Sequence, residues 1–218
     1  MKKSKSLKQQ NRYEAFVSDG RNLLRRAWVL ERSLLLARQL EEDLASKKDL
    51  KNDRELLSLL RDEVLKSVYI QTRTMMDSSR DAIGILGLID EIISEIGLLT
   101  QERWIAAHGL WKLQGDRSGV SFITIWQGAR SIPERKVILN IMKDKVVKAK
   151  DDVDTWISQR IAHEIREHRR EKRIIMTGNL TYAATVCIKI TRQTIQLLAD
   201  VDPMDYQLPA HWSFLEKD

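Results

Sequence analysis

No proline occurs in the first 132 residues of this 218-residue chain. Proline removes a backbone donor and kinks or ends a helix, so its absence beside many strong helix formers leaves long helices as the natural fold of that half. Residues 13–46 carry Phe16, Leu23, Leu24, Ala27, Leu30, Leu34, Ala37 and Leu40 at three- and four-residue steps. That spacing lines one helical face with apolar groups and leaves Arg21, Arg25, Arg32 and Glu41 elsewhere. After a charged break at 47–52, Asp53 is a plausible cap for a second helix bearing Leu56, Leu57, Leu60, Val64, Leu65 and Val68 toward Met75 and Met76. The third predicted helix carries Ile83, Leu86, Ile89, Ile92, Ile93 and Ile96, with Gly84 and Gly87 as points of close helix packing.

The middle of the chain changes character. Gly109, Gly115, Gly119 and Gly128 interrupt residues 101–130, and turn residues 115–119 separate two short β-prone runs, which favours a small β-hairpin over a loop leading into a short helix. A sharp boundary follows. In Ser131-Ile132-Pro133-Glu134 the Ser oxygen and the Glu carboxylate are spaced to satisfy each other's backbone N–H groups, with Pro expected at the first helical position. From Glu134 to Thr177 no Gly or Pro intervenes, so one helix of about 40 residues and about 60 Å is expected. Its stripe is Val137, Ile138, Ile141, Met142, Val146, Ala149, Val153, Trp156, Ile157, Ile161 and Ile165. Such a length calls for a helical hairpin or a coiled-coil contact with another helix or another copy. Gly178-Asn179 is expected to end it, with a last helix over 180–200 stopped before Pro203.

The expectation is therefore an all-α, elongated bundle of about five helices with one long helix. Residues 1–12 form a basic flexible tail and 13–200 a single helical domain, divided at 100 and 130; residues 201–218 form a C-terminal tail in which Trp212 and Phe214 pack on the body or await a partner.

Charge narrows the partner classes. The net charge is +6. Lys2, Lys3, Lys5, Lys8 and Arg12 supply +5 of it without an acid among them, and the rest of the chain is close to neutral. A basic end of this kind strengthens binding to any polyanion by counterion release, and also occurs as a plain solvated terminus. A second basic cluster lies in the long helix: Arg166, Arg169, Arg170 and Arg173 follow i, i+3, i+4, i+7 and would line one face along a phosphate backbone. Glu164, Glu167 and Glu171 dilute residues 160–173 to a net +3, so a solvated, alternating face is the competing reading. The candidate nucleic-acid contacts are Arg166, Arg169, Arg170, Arg173, Lys2, Lys3 and Lys5.

Other constellations give less. His163 and His168 stand five apart in a helix, so their rings point about 140° apart and do not share a metal. The six Trp invite base stacking, for which Trp104, Trp111 and Trp126 are the candidates, Trp156 belonging to the core stripe. No phosphate-binding glycine loop, dinucleotide fingerprint or nucleophile–base arrangement is present, so no cofactor and no catalytic residue is expected. The single Cys187 lies in an apolar run and packs as a small hydrophobe, in keeping with a reducing, cytoplasmic setting. No secretory signal follows the basic start. The most apolar stretch, 82–99, holds Asp90, Glu91 and Glu95, which argues against membrane insertion.

Two resemblances bear on function. Arg103 and His108 resemble, in their Arg-x4-His spacing, a helical ribonuclease family of prokaryotic and higher-eukaryotic nucleotide-binding domains, although Trp104 stands where those enzymes place a polar residue. Leu110-Trp111-Lys112, Asp116-Arg117-Ser118, Trp126, Arg135 and Leu139-Asn140-Ile141 together resemble a little-characterised helical family encoded on bacterial integrating conjugative elements. Genes of that family lie in the element's replication and maintenance block. The match covers about residues 100–145 and departs at Gly119-Val120-Ser121. It implies a non-enzymatic, DNA-associated accessory role in maintenance, transfer or regulation, and supplies no catalytic residues. The alternatives are a protein–protein module without nucleic-acid binding that assembles through the long helix, and, from the first resemblance, a helical ribonuclease that uses the Arg103–His108 pair on RNA phosphodiesters.

Overall fold

A computed structural model describes residues 2–46, 51–77, 83–111, 117–164 and 172–204. Among them are seven α-helices and no strand: α1 Lys2–Ser46, α2 Lys51–Met76, α3 Ile85–Ser94, α4 Gln101–Ala107, α5 Phe122–Ile125, α6 Ile132–Glu164 and α7 Lys172–Leu198. Short 3₁₀ turns at Ile96–Leu98 and His108–Trp111 follow α3 and α4.

Four long helices, α1, α2, α6 and α7, make the body. The Tyr13 hydroxyl donates to the Leu198 carbonyl, Gly20 lies against Ile195, and Arg192 bonds Glu31. Contacts thus climb α1 as they descend α7, and the two run antiparallel. Between α6 and α7 only residues 165–171 intervene, a reach of at most about 28 Å. Helix α6 is about 50 Å long, so two packed helices joined by so short a segment also run antiparallel. The described start of α7 therefore lies at the end of the bundle where α1 finishes. The other end is closed by α3, α4 and α5, which form a head.

The apolar stripe of α1 is core throughout: all eight residues named from its sequence are buried. Helix α2 is different. Val68, Met75 and Met76 are buried, whereas Leu56 and Leu60 are exposed. In α6, Leu139, Met142, Val146, Ala149 and Val153 face inward and Val137 and Ile141 face out. Gly84 does allow close packing, since a Cβ there would lie 1.8 Å from the Asp77 carbonyl oxygen; Gly87 faces open space. The segment 82–99 becomes a ten-residue α3 and a 3₁₀ turn. No helix of the described residues is long and apolar enough to cross a membrane.

Four expectations are corrected. Helix α1 begins at Lys2, not near residue 13: residues 2–12 continue its helix rather than starting as a tail, and Arg12 pairs with Glu91 at 3.4 Å. The long helix does not reach Thr177. α6 is described to Glu164, and α7 is already helical at Lys172 and runs through Gly178-Asn179, because burial of Leu180, Ala183 and Ala184 against the bundle outweighs the local cost of one glycine. The middle is helical where a hairpin was favoured. Ser121 caps α5 by accepting the Thr124 N–H at 3.2 Å, and a helical step buries Phe122 and Trp126 together. At α6, Pro133 stands second in the helix rather than first.

Candidate functional site

Three polar caps build the head. Thr100 accepts the Arg103 N–H at the start of α4, Ser121 caps α5, and Ser131 accepts the Glu134 N–H at 3.4 Å. Glu134 Oε2 in turn accepts the Arg130 and Ser131 N–H groups at 2.7 and 3.0 Å, which completes the reciprocal cap expected from the sequence. These hydrogen bonds hold the Glu134 carboxyl below the usual glutamate range. Helix α5 ends in a Schellman turn: Gln127 N–H donates to Thr124 O and Gly128 N–H to Ile123 O.

The 3₁₀ turn after α3 and the starts of α4, α5 and α6 enclose a cleft of about 380 Å³. Ile96, Leu99, Phe122, Ile123 and Ile132 supply its apolar surface, and Arg130 and Arg135 its charge. Arg135 lies over the Phe122 ring at 4.8 Å from its centre and over Trp126 at 5.4 Å. Its Nη1 donates to Leu99 O at 3.0 Å and its Nε to Ala129 O at 3.5 Å. Burial pushes its pKa below the ordinary arginine value, opposed only in part by Glu134. No acidic residue lines the cleft.

Behind it, Asp200 knots the end of α7 to the head. Its carboxylate accepts the Ser118 hydroxyl at 2.8 Å and the Ser118 N–H at 3.3 Å. Its N–H donates to Trp104 O, and its carbonyl lies 2.7 Å from His108 Nδ1. A carbonyl only accepts, so Nδ1 carries the proton. Ser, Asp and His are thus close neighbours, yet the hydroxyl is spent on the carboxylate and the imidazole on the main chain. This is an anchoring arrangement, not a nucleophile–base relay.

The Arg103–His108 pair does not converge. Arg103 Nη1 reaches back to Leu98 O at 3.2 Å, whereas His108 is held at the other end of α4 by Asp200. The stacking candidates are also redirected. Trp104, Trp111 and Trp126 are all buried; Trp104 Nε1 donates to Gln196 O at 2.7 Å, and its ring meets Phe122 edge-on at 5.6 Å. They are core residues with no face open to a base. Cys187 is buried, and burial pushes its thiol up to about 12, so it is an inert hydrophobe.

The residues named for nucleic-acid contact fall elsewhere. Arg166, Arg169 and Arg170 lie outside the described residues, as does His168. Lys2, Lys3, Lys5 and Arg173 belong to described helices, but their side chains, like those of His163 and Trp156, are outside the description. The backbone nonetheless separates the two basic groups. Lys2 to Lys5 open α1 at the head end and Arg173 opens α7 at the opposite end, more than about 40 Å away along the bundle. One short stretch of DNA does not bridge them unless it lies along the long axis.

Arg135 and the cleft were not among the residues singled out for binding. Arg135 entered only through a resemblance, and the signal available for it was an arginine in the first turn after a capping box, following two aromatics. No group of His, Cys, Asp and Glu suited to a metal occurs among the described residues. No protein-family model, curated protein or solved structure matches this chain.

Proposed function

We propose that the protein is a non-enzymatic, DNA-associated accessory factor that contacts phosphates with the basic segment around the α6–α7 junction. What supports the reading is the contrast between the two ends of the bundle. In the head, Ser118, Asp200, His108, Arg103 and Tyr13 are each engaged in fastening helix ends, while residues 160–173 bring six Lys and Arg against three Glu. The resemblance of residues 100–145 extends the proposal to maintenance, transfer or regulation of an integrating conjugative element. The buried thiol of Cys187 suits a reducing cytoplasm.

Fluorescence anisotropy on single- and double-stranded DNA and on RNA over a salt series tests this. Arg166→Ala with Arg170→Ala is expected to weaken binding and to reduce the salt slope by about 2. Because α1 starts at Lys2, the terminal charge is removed by Lys2, Lys3 and Lys5→Gln rather than by truncation. Binding that disappears with those lysines and ignores the arginine pair sinks the reading.

A second reading has its own observation. Leu56, Leu59, Leu60 and Ile70 are all about half exposed or more and fall within an arc of about 100° on the outward side of α2. Assembly with a partner or a second copy would use that face, since the α6 residues Met142, Val146, Ala149 and Val153 are already buried in the bundle. Sedimentation velocity of the wild type and of Leu56→Glu with Leu60→Glu separates the two: a dimer lost in the double variant favours assembly.

A further inference from the structure

We propose that the head cleft is a binding site for a small carboxylate with an apolar body, independent of any DNA contact at the other end of the molecule. The volume of about 380 Å³ is at the small end of ligand sites, the size of an aromatic or short aliphatic acid rather than a nucleotide. The walls are mostly apolar, from Ile96, Leu99, Phe122, Ile123 and Ile132, with Thr100 and Gln101 beside them.

Charge selects the anion. Arg135 is half-buried, and its hydrogen bonds go to two neutral carbonyls, which orient the guanidinium without neutralising it. The two aromatic rings fix its plane. Its Nη2 donors make no hydrogen bond among the described residues, and no described carboxylate pairs with it. The neighbouring Glu134 is occupied by the backbone N–H groups of Arg130 and Ser131. Arg130, exposed on the rim, adds a second positive charge. A preset, half-buried arginine with no carboxylate hydrogen-bonded to it suits a planar carboxylate, which accepts from its fork and gains more there than in water. Mostly apolar walls make a phosphate dianion the poorer occupant, since much of its hydration would be lost against surfaces that return few hydrogen bonds.

Ligand-observed NMR with the full chain tests this, using 3-phenylpropionate, its amide, inorganic phosphate, and acetyl-glycyl-phenylalanine as free acid and as amide. A carboxylate is expected to bind at least tenfold more tightly than its amide and than phosphate. Ile123→Glu, at a half-exposed position, places a like charge in the cleft without touching the core and is expected to weaken carboxylate binding at least tenfold with an unchanged melting temperature. Arg130→Ala is expected to weaken it several-fold. Arg135→Lys keeps the charge but not the fork and is expected to fall between the wild type and Ile123→Glu. Tighter binding of the peptide acid than of 3-phenylpropionate identifies a chain end as the source, and the reverse order a free acid; both support the site. Equal binding of acid and amide, or carboxylate binding that ignores Ile123→Glu, overturns it.

Discussion

Two residues of the head carry the most specific consequences. Gln127 has φ 52° at the closure of α5, a left-handed conformation that glycine adopts freely and a side chain resists. Gly128, next to it at φ 83°, already meets that demand. Replacing Gln127 by Gly is therefore expected to stabilise the protein by about 0.5–1 kcal/mol and to raise the melting temperature by about 1–3 °C; calorimetry showing no rise contradicts the strain. Glu134 is the second case. Its folded pKa is depressed by the N–H groups it accepts, so its contribution is fully present above the unfolded glutamate pKa and is lost as pH falls through the folded value. Glu134→Gln should consequently be less stable than the wild type near neutrality, and urea melts of the two should converge under acid. A gap that persists once the carboxyl is protonated points to a cause other than its charge.

Between elements, the α1–α7 seam is held by a bidentate ion pair. Arg192 Nη1 and Nη2 reach Glu31 Oε1 and Oε2 at 3.1 and 2.7 Å, and the guanidinium lies 5.6 Å over Trp28. The Arg192 side chain is only 16% exposed. Removing Glu31 leaves that cation without its partner, so Glu31→Ala is expected to cost about 2 kcal/mol, and Arg192→Met, which removes the charge and keeps packing volume, about 1 kcal/mol or less. Chemical denaturation measures both, and the reverse order would show that stacking on Trp28 outweighs pairing. These elements also show what a linear reading recovers. The α1 stripe was legible because that helix packs along its length in the bundle, so a 3.6-residue period maps directly onto burial. In α2 and α6 the same period was present, but which leucines and isoleucines turn inward depends on neighbours distant in sequence, and Leu56, Leu60, Val137 and Ile141 faced outward. The hairpin failed because β-branched Ile123, Thr124 and Ile125 outweighed, in local propensity, a cap and an aromatic pair that act only once folded. The cleft was hidden for a similar reason: Leu99, Phe122 and Arg135 meet only when three separate segments converge.

At the scale of the whole molecule, burial is unevenly distributed along the bundle, and stability should follow it. Near the head, α7 and the two residues after it bury Ile190, Thr191, Thr194, Ile195, Leu197, Leu198, Ala199 and Asp200 against α1 and the short helices. At the opposite end, the described side chains of 54–60 in α2 are exposed or half-exposed, with no residue buried. Opening that part of α2 costs few apolar contacts, whereas opening the last turns of α7 also breaks the Asp200 knot and the Tyr13 bond to Leu198. Local unfolding free energies scale with what is uncovered. Native-state hydrogen exchange is therefore expected to show the amides of 54–60 exchanging through local opening, and those of 190–198 only through global unfolding. Ser118→Ala removes one tie to Asp200 and should lower protection in 190–198 while leaving 54–60 unchanged, because the two regions share no contact through that bond. A uniform loss along the bundle would instead mean that head and far end unfold as one cooperative unit.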